Sequence, residues 1–364
     1  MTNPAAAAPA IEVRDLVKRY SKSKTNAVDG VSFEVPRGAI FGLLGPNGAG
    51  KTTIIGALTT FIVPTEGSAS IMGLEVARDP IGIKQRIAVV PQQSNLDRSL
   101  KVREILTFHA AYHGVPRKQR EARADQLLDE LGLGERKNEK VNRYSGGMAQ
   151  RLMIARALMH APDVLFLDEP TNNLDPQSRL FLWERIREMN ARGLTILLTT
   201  HDMDEADKLC HRIAIMDHGK ILVNDTPAEL KKLIPGGSVL ELRAYVPEED
   251  NTGIAERLTA ALQGLTGVTK VDAVSDAAPE PAPNAGPPRG PWGPPGGAPG
   301  GSAPPAAAPE PGARIYRVYA DAANALIGPA AQAVASVGAE VRDLSVKQPT
   351  LEEVFIFLTG RHLR

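Results

Sequence analysis

Gly45-Pro-Asn-Gly-Ala-Gly-Lys-Thr-Thr53 fits the pattern G-x-x-x-x-G-K-[ST]. Glycines in such a loop let backbone N–H groups turn inward and cradle phosphate oxygens at the start of a helix. The setting agrees: the apolar run Ala39–Leu44 predicts a strand before the loop, and the residues after it predict a helix. Gly45, Pro46, Asn47, Gly48, Ala49, Gly50, Lys51, Thr52 and Thr53 are therefore candidate nucleotide-binding positions. Lys51 would hold the β- and γ-phosphates of ATP, and Thr52 would ligand Mg²⁺. A glycine-rich strand–helix turn without a ligand is the plain alternative, and the flanking strand and helix disfavour it.

Outward from the loop, apolar runs alternate with helical patterns from Ile11 to about Val223. Strands are predicted at Ile11–Val17, Val31–Val35, Ala39–Leu44, Ile87–Val90, Val164–Leu167, Thr195–Thr200 and Ile213–Met216. Runs such as VLFL and TILLTT suit strands buried on both faces, which implies an α/β core with a largely parallel sheet. Between Ser94 and Tyr144 the strands stop, and helical patterns follow around Val102–His113 and Arg117–Leu131. This predicts a helical subdomain, about 94–150, inserted into the α/β core.

Val164-Leu-Phe-Leu-Asp-Glu169 is an apolar strand ending in two acids. Asp168 at the sheet edge could bind Mg²⁺ through water, and Glu169 could polarise an attacking water. Tyr144-Ser-Gly-Gly-Met148 then leads into a predicted helix over Ala149–Met159. Together these features resemble an ABC-type ATPase, a branch of the P-loop NTPases, with SGGM at the family's signature sequence. The resemblance implies an order of phosphate loop, glutamine loop, signature, acidic strand, D-loop and switch histidine, and each has a match.

By that resemblance, Ser145 and Gly147 would contact the γ-phosphate held by an opposite subunit, and Gly146 between them is a further nucleotide-binding candidate. Gln92 matches the glutamine loop, which senses Mg²⁺ and the attacking water; Gln93 is a one-residue competitor. Asp175 matches the D-loop that communicates across the dimer. His201 matches the switch histidine, contacting the γ-phosphate and aligning Glu169. Tyr20 matches the aromatic residue that stacks on adenine; a half-buried strand tyrosine is its alternative. Three positions depart from the family's pattern: Tyr144 for Leu, Met148 for Gln, and Asn173 where Gly or Ala is usual, which puts the D-loop conformation in question.

Leu198-Thr-Thr-His-Asp-Met-Asp-Glu-Ala-Asp207 and Gln348-Pro-Thr-Leu-Glu-Glu-Val-Phe-Ile-Phe-Leu-Thr-Gly360 are similar to the drug- and polysaccharide-exporter branch. That implies an ATP- and Mg²⁺-dependent homodimer on the cytoplasmic face of the membrane, driving export of a drug, lipid or polysaccharide through a separate transmembrane permease. A soluble ABC ATPase acting on ribosomes or DNA is the alternative from another class. One motor domain and no heptad run argue against it.

Composition sets outer bounds. The chain has 364 residues, and Lys plus Arg equals Asp plus Glu at 42 each, so no broad nucleic-acid footprint is expected. Cys210 is the single cysteine and excludes an internal disulfide framework. Met1–Ala10 is Ala/Pro-rich, predicted disordered, and lacks the pattern of a signal peptide. No run reads as a membrane span, so another chain would supply the membrane part. His109 and His113, four apart on one predicted helix, form a pair of zinc-ligand type, but no third ligand is evident.

After the 11–235 nucleotide-binding domain, residues 236–364 read as a small α+β accessory domain. Strand, helix and strand precede a Pro/Gly/Ala-rich linker, 277–313, broken only by Glu280, Asn284, Arg289, Trp292, Ser302 and Glu310. Strand, helix and strand follow it, resembling a ferredoxin-like unit. A closing helix, Thr350–Leu358, has Thr350 as N-cap and Glu353 at the capping-box position.

Overall fold

The computed structural model describes residues 8–21, 23–234, 238–245, 253–275, 313–320, 323–347 and 349–360. Residues 277–312 of the expected linker and most of the Ala/Pro-rich start lie outside them, and Ala313 opens a strand. The chain forms two compact units, Met1–Lys231 with Thr350–Arg364, and Lys232–Pro349. The closing helix thus belongs to the first unit, whereas the sequence assigned all of 236–364 to the accessory domain. No helix among the described residues is long and apolar enough to cross a membrane.

In chain order the strands of the first unit are β1 (Ile11–Lys18), β2 (Val28–Val35), β3 (Ile40–Leu44), β4 (Glu66–Ile71) and β5 (Leu74–Glu75). β6 (Ile87–Val90), β7 (Val164–Asp168), β8 (Thr195–Thr200), β9 (Arg212–Asp217) and β10 (Lys220–Asp225) follow. Its helices begin with α1 (Lys51–Leu58), α2 (Pro80–Arg86), α3 (Val102–Tyr112) and α4 (Arg117–Glu130). Then come α5 (Gly146–Ala157), α6 (Pro176–Ala191), α7 (Met203–Leu209) and α8 (Pro227–Lys231).

Six strands form one sheet in the order β10-β9-β3-β8-β7-β6. Neighbours from β9 to β6 are parallel, and β10 runs antiparallel at one edge. Every residue of β3, β7 and β8 is buried, the condition of strands covered on both faces. A second sheet, β2-β1-β4-β5, is antiparallel. Its inner face meets the first in one core, where the rings of Phe33 and Phe41 stack 5.1 Å apart. The sequence did not foresee β4, β5 or β10. These are edge or half-exposed segments, such as EGSASI and KILVND, without a long apolar run.

The register decides the placement of the loops. Leu44 lies beside Thr200, and Asp168 beside Thr199. The segments that begin at Gly45, Glu169 and His201 therefore leave the sheet at one edge, outside the carboxyl ends of parallel strands, where ligands bind in open α/β sheets. α3, α4 and α5 form the inserted helical region between β6 and β7.

The second unit has β11 (Val239–Tyr245), α9 (Ile254–Gln263), β12 (Val268–Ser275), β13 (Ala313–Ala320), α10 (Ile327–Ser336) and β14 (Glu340–Lys347). Its sheet is antiparallel in the order β12-β13-β11-β14, a split βαβ arrangement. Leu240, Leu242 and Ala244 alternate along β11 and, with Tyr316 and Val318, pack against Leu258, Leu262, Ala330 and Val334. The final helix, α11 (Leu351–Thr359), returns to the first unit and packs on α7 and α8. Its capping box is formed: Glu353 N donates to Thr350 Oγ1 at 3.3 Å, and Thr350 N donates to Glu353 Oε2 at 2.6 Å.

Candidate nucleotide site

The loop Gly45–Gly50 joins β3 to α1 and is shaped by its glycines. Gly50 has φ +104°, and a Cβ there would stand 2.4 Å from the carbonyl oxygen of Ala27. A Cβ at Gly45 would stand 2.3 Å from that of Met216. Neither position admits a side chain, so the backbone can close in on a ligand. Asn47 and Gly48 are exposed at the tip, Pro46 is half-buried and Ala49 is buried.

Lys51 opens α1 and is buried. Its Nζ donates to the carbonyl oxygens of Gly45 at 2.6 Å and Pro46 at 3.0 Å, and lies 3.6 Å from Glu169 Oε1. Burial lowers its pKa, and the charge of Glu169 opposes that shift. A cation held against carbonyls at the floor of an amide-lined loop is equipped to take an anion. Thr52 Oγ1 lies 3.4 and 3.3 Å from the two carboxylate oxygens of Asp168. These oxygen donors suit a hard dication such as Mg²⁺.

At the end of β7 the chain turns through Glu169, which adopts φ +48°. Its N–H donates to Thr199 O at 3.0 Å and Thr199 Oγ1 at 3.1 Å. Three side chains converge on Glu169 Oε2: Gln92 Nε2 at 2.9 Å, Asn172 Nδ2 at 3.1 Å and His201 Nδ1 at 3.4 Å. It is Gln92, at the end of the β6 exit, that reaches this carboxylate. The buried carboxylate is therefore faced by a lysine on one oxygen and by two amides and an imidazole on the other.

Tyr20 and Thr53 meet at the outer side of α1, hydroxyl to hydroxyl at 3.4 Å, and Lys18 Nζ lies 5.4 Å from the exposed Tyr20 ring. Ser145 caps α5, its Oγ accepting from Met148 N at 3.3 Å. Ser145 and Gly146 are exposed, while Gly147 is buried against Ser178, whose Oγ would lie 2.6 Å from a Cβ there. Asp175 caps α6, accepting from Ser178 N at 2.9 Å, and its pKa is lowered first by the Ser178 hydroxyl and then by that N–H. The signature turn and the Asp175 turn thus share Ser178. Asn173 adopts φ +60°, a left-handed conformation that asparagine tolerates, so its departure from a small residue is absorbed locally.

Two residues of this site were not singled out by the sequence. Thr199 donates its hydroxyl to Asp168 Oδ1 at 2.5 Å and fixes the Glu169 turn from the neighbouring strand. The signal was present as one of three threonines in a fully buried strand, since a buried hydroxyl needs a partner. Asn172 carried no signal of its own, being one of many polar loop residues.

Residues 28–172 match the protein family described as ABC transporter. The chain is 42% identical over 257 residues to the daunorubicin/doxorubicin resistance ATP-binding protein DrrA of Streptomyces peucetius, covering 71% of this chain and 76% of that protein. It is 45% identical over 238 residues to the Nod factor export ATP-binding protein I of Burkholderia pseudomallei, covering 65% and 77%. The likeness to the daunorubicin resistance ATP-binding protein DrrA3 of Streptomyces coeruleorubidus, at 35% identity over 351 residues, spans 96% of both chains.

Among solved structures, CbiO1 from Clostridium perfringens, part of the ABC transporter complex cbiONQ, superposes with a TM-score of 0.58 at 27% identity. That match covers 62% of this chain and 93% of the other. A dimeric post-hydrolysis state of the ATP-binding cassette MJ0796, bound to ADP and Pi, gives 0.55 at 26% identity, covering 59% and 98%. At 35% identity to DrrA3 across nearly its whole length, the chain belongs to the ABC transporter family, as one of its ATP-binding, ATP-hydrolysing subunits.

Proposed function

We propose that this subunit powers export through a separate membrane permease, with two copies closing over two ATP molecules at the cytoplasmic face of the membrane. The observation that carries the reading is the grip on Glu169, a buried carboxylate with Lys51 on one side and Gln92, Asn172 and His201 on the other. A carboxylate held in place by such partners can orient and polarise a water for attack on phosphorus.

In this reading, Lys51 exchanges the carbonyls of Gly45 and Pro46 for β- and γ-phosphate oxygens, while the amides of Gly45–Thr53 cradle the phosphates. Thr52, Asp168 and Gln92 would hold Mg²⁺, which when bound neutralises phosphate charge. His201 contacts the γ-phosphate and keeps Glu169 aligned. Tyr20 offers its exposed ring to adenine.

Ser145 and Gly146 lie exposed at the N-terminal end of α5, where amides and the helix dipole favour an anion. A γ-phosphate presented by a second copy would complete that site, with Gly147 and Asp175 shaping it. ATP then favours the closed pair because both copies touch the γ-phosphate, and hydrolysis removes that shared contact. The dimeric MJ0796 structure supports pairing, and CbiO1 as part of the complex cbiONQ supports a multi-chain transporter. Relatives named for daunorubicin resistance and Nod factor export support the outward direction. The permease would select the cargo: drug, lipid or polysaccharide.

Light scattering on the Glu169→Gln variant tests the pairing. Mass should double on addition of ATP and Mg²⁺ and revert when nucleotide is removed. Full hydrolysis by a strictly monomeric wild-type chain would overturn the sandwich. Association with ribosomes or DNA, instead of a co-purifying membrane protein, would overturn the transport role.

A further inference from the structure

His109, in the last turn of α3, and His113, at its C-cap, are one helical turn apart and project from one face. Nothing near them in sequence completes a ligand set; the fold does. His160, in the 3₁₀ turn after α5, joins them, and one ring nitrogen from each of the three lies within 4.8 Å of the others. The His113 and His160 rings stack with centroids 3.9 Å apart; His109 lies 4.8 Å from His113 and 5.9 Å from His160.

His160 is set in a specific tautomer. Its Nε2 lies 2.9 Å from the carbonyl oxygen of Ile87, which can only accept, so Nε2 carries the proton and Nδ1 the lone pair. That Nδ1 is buried and has no hydrogen-bond partner among the described residues. An imidazole that donates to a backbone carbonyl through one nitrogen and bares the other is arranged as metal-ligating histidines are. Three imidazoles form a donor set for borderline transition metals, and a poor one for Mg²⁺ or Ca²⁺.

We propose that His109, His113 and His160 form a binding site for a divalent transition-metal ion of the zinc class, with the fourth position open to water. The ligating form is present at neutral pH. Burial, then the charges of its neighbours, lowers the pKa of His109 to about 4, and burial also lowers His113 and His160. The cations facing the cluster are Arg156, whose guanidinium is held by Asn95 O at 3.4 Å and Asn95 Oδ1 at 2.5 Å, and Lys84. Both oppose a dication and temper its affinity.

Tetrahedral coordination at about 2.1 Å brings ligand nitrogens to about 3.4 Å from one another, and the ion lies in the plane of each ring. The parallel stack must therefore open, and His113, at the end of its helix, is the ring that turns. The cavity beside the cluster, about 400 Å³, leaves room for that movement. A bound ion would tie the end of α3 to the turn after α5 and, through His160 and Ile87, to β6, the strand that leads to Gln92.

The test titrates zinc chloride into the untagged full-length chain, first stripped with a chelator, by calorimetry and by competition with a chromophoric chelator. One ion per chain is expected. His109→Gln, His113→Gln and His160→Gln should each weaken binding at least about tenfold, and excess Mg²⁺ should not compete. Binding should persist at pH 6, where histidines with pKa near 6.5 are mostly protonated, and vanish toward pH 4. Zinc should also raise the melting temperature of the wild type and leave that of the folded triple variant unmoved. Failure to bind zinc stoichiometrically, or stoichiometric binding that none of the three substitutions weakens, overturns the site. So does equal thermal stabilisation of wild type and triple variant.

Discussion

Gln92 Nε2 donates to Glu169 Oε2 at 2.9 Å, so the loop that leads from β6 into the helical insertion ends on the carboxylate at the tip of β7. A shift of the insertion relative to the sheet would strain this bond. The same oxygen is shared with Asn172 and His201, which makes Glu169 the point where three chain segments report on one another.

Glu169→Gln should bind ATP with near wild-type affinity and release phosphate at least about a hundredfold more slowly, the lower range for loss of a positioned base. A phosphate-release assay with and without the membrane partner measures it. Hydrolysis at the wild-type rate would remove Glu169 from the role of base.

Lys51→Ala should abolish nucleotide binding, measured with a fluorescent ATP analogue. The lysine's cation is buried against loop carbonyls, so no nearby side chain inherits its position. Unaltered affinity would show that the loop does not hold phosphate through Lys51.

Ser145 has two separable jobs, helix cap and anion contact. Ser145→Ala removes the cap and should cost about 1 kcal/mol of stability, whereas Ser145→Gly should cost only a few tenths. If the hydroxyl also meets the partner's nucleotide, both variants lose hydrolysis alike. Activity that follows stability, intact in Gly and reduced in Ala, would leave Ser145 as a cap alone.

Glu205 is buried and accepts from Thr171 Oγ1 at 2.8 Å and Trp183 Nε1 at 3.2 Å. Burial raises its pKa, against the lowering pull of its hydrogen-bond donors. With the folded value above the unfolded one, near 4.5, its favourable contribution is complete below that pH and is lost as pH rises through the folded value. Glu205→Gln, which stays neutral, should therefore gain in melting temperature over wild type as pH climbs from about 4.5 to 7. Glu205→Ala leaves two buried donors unpaired and should cost about 1–3 kcal/mol at any of these pH values. A flat difference between Gln and wild type would contradict the raised pKa.

What the sequence determined by itself is what short segments encode. The phosphate loop with its strand and helix, the largely apolar β3, β7 and β8, and the Thr350–Glu353 capping box rest on backbone sterics, periodicity and hydrogen bonds spanning a few residues. Half-exposed strands such as β4 and β10 escaped because their side chains face both core and water and blur the pattern. Only the tertiary structure decided which segments meet: Gln92 and Asn172 on Glu169, Thr199 on Asp168, Ser178 between Gly147 and Asp175, His160 beside His109 and His113, and α11 back on α7 and α8. Those meetings follow from parallel strand order and register, which are set by burying both faces of the sheet at once, a condition no local window of sequence contains.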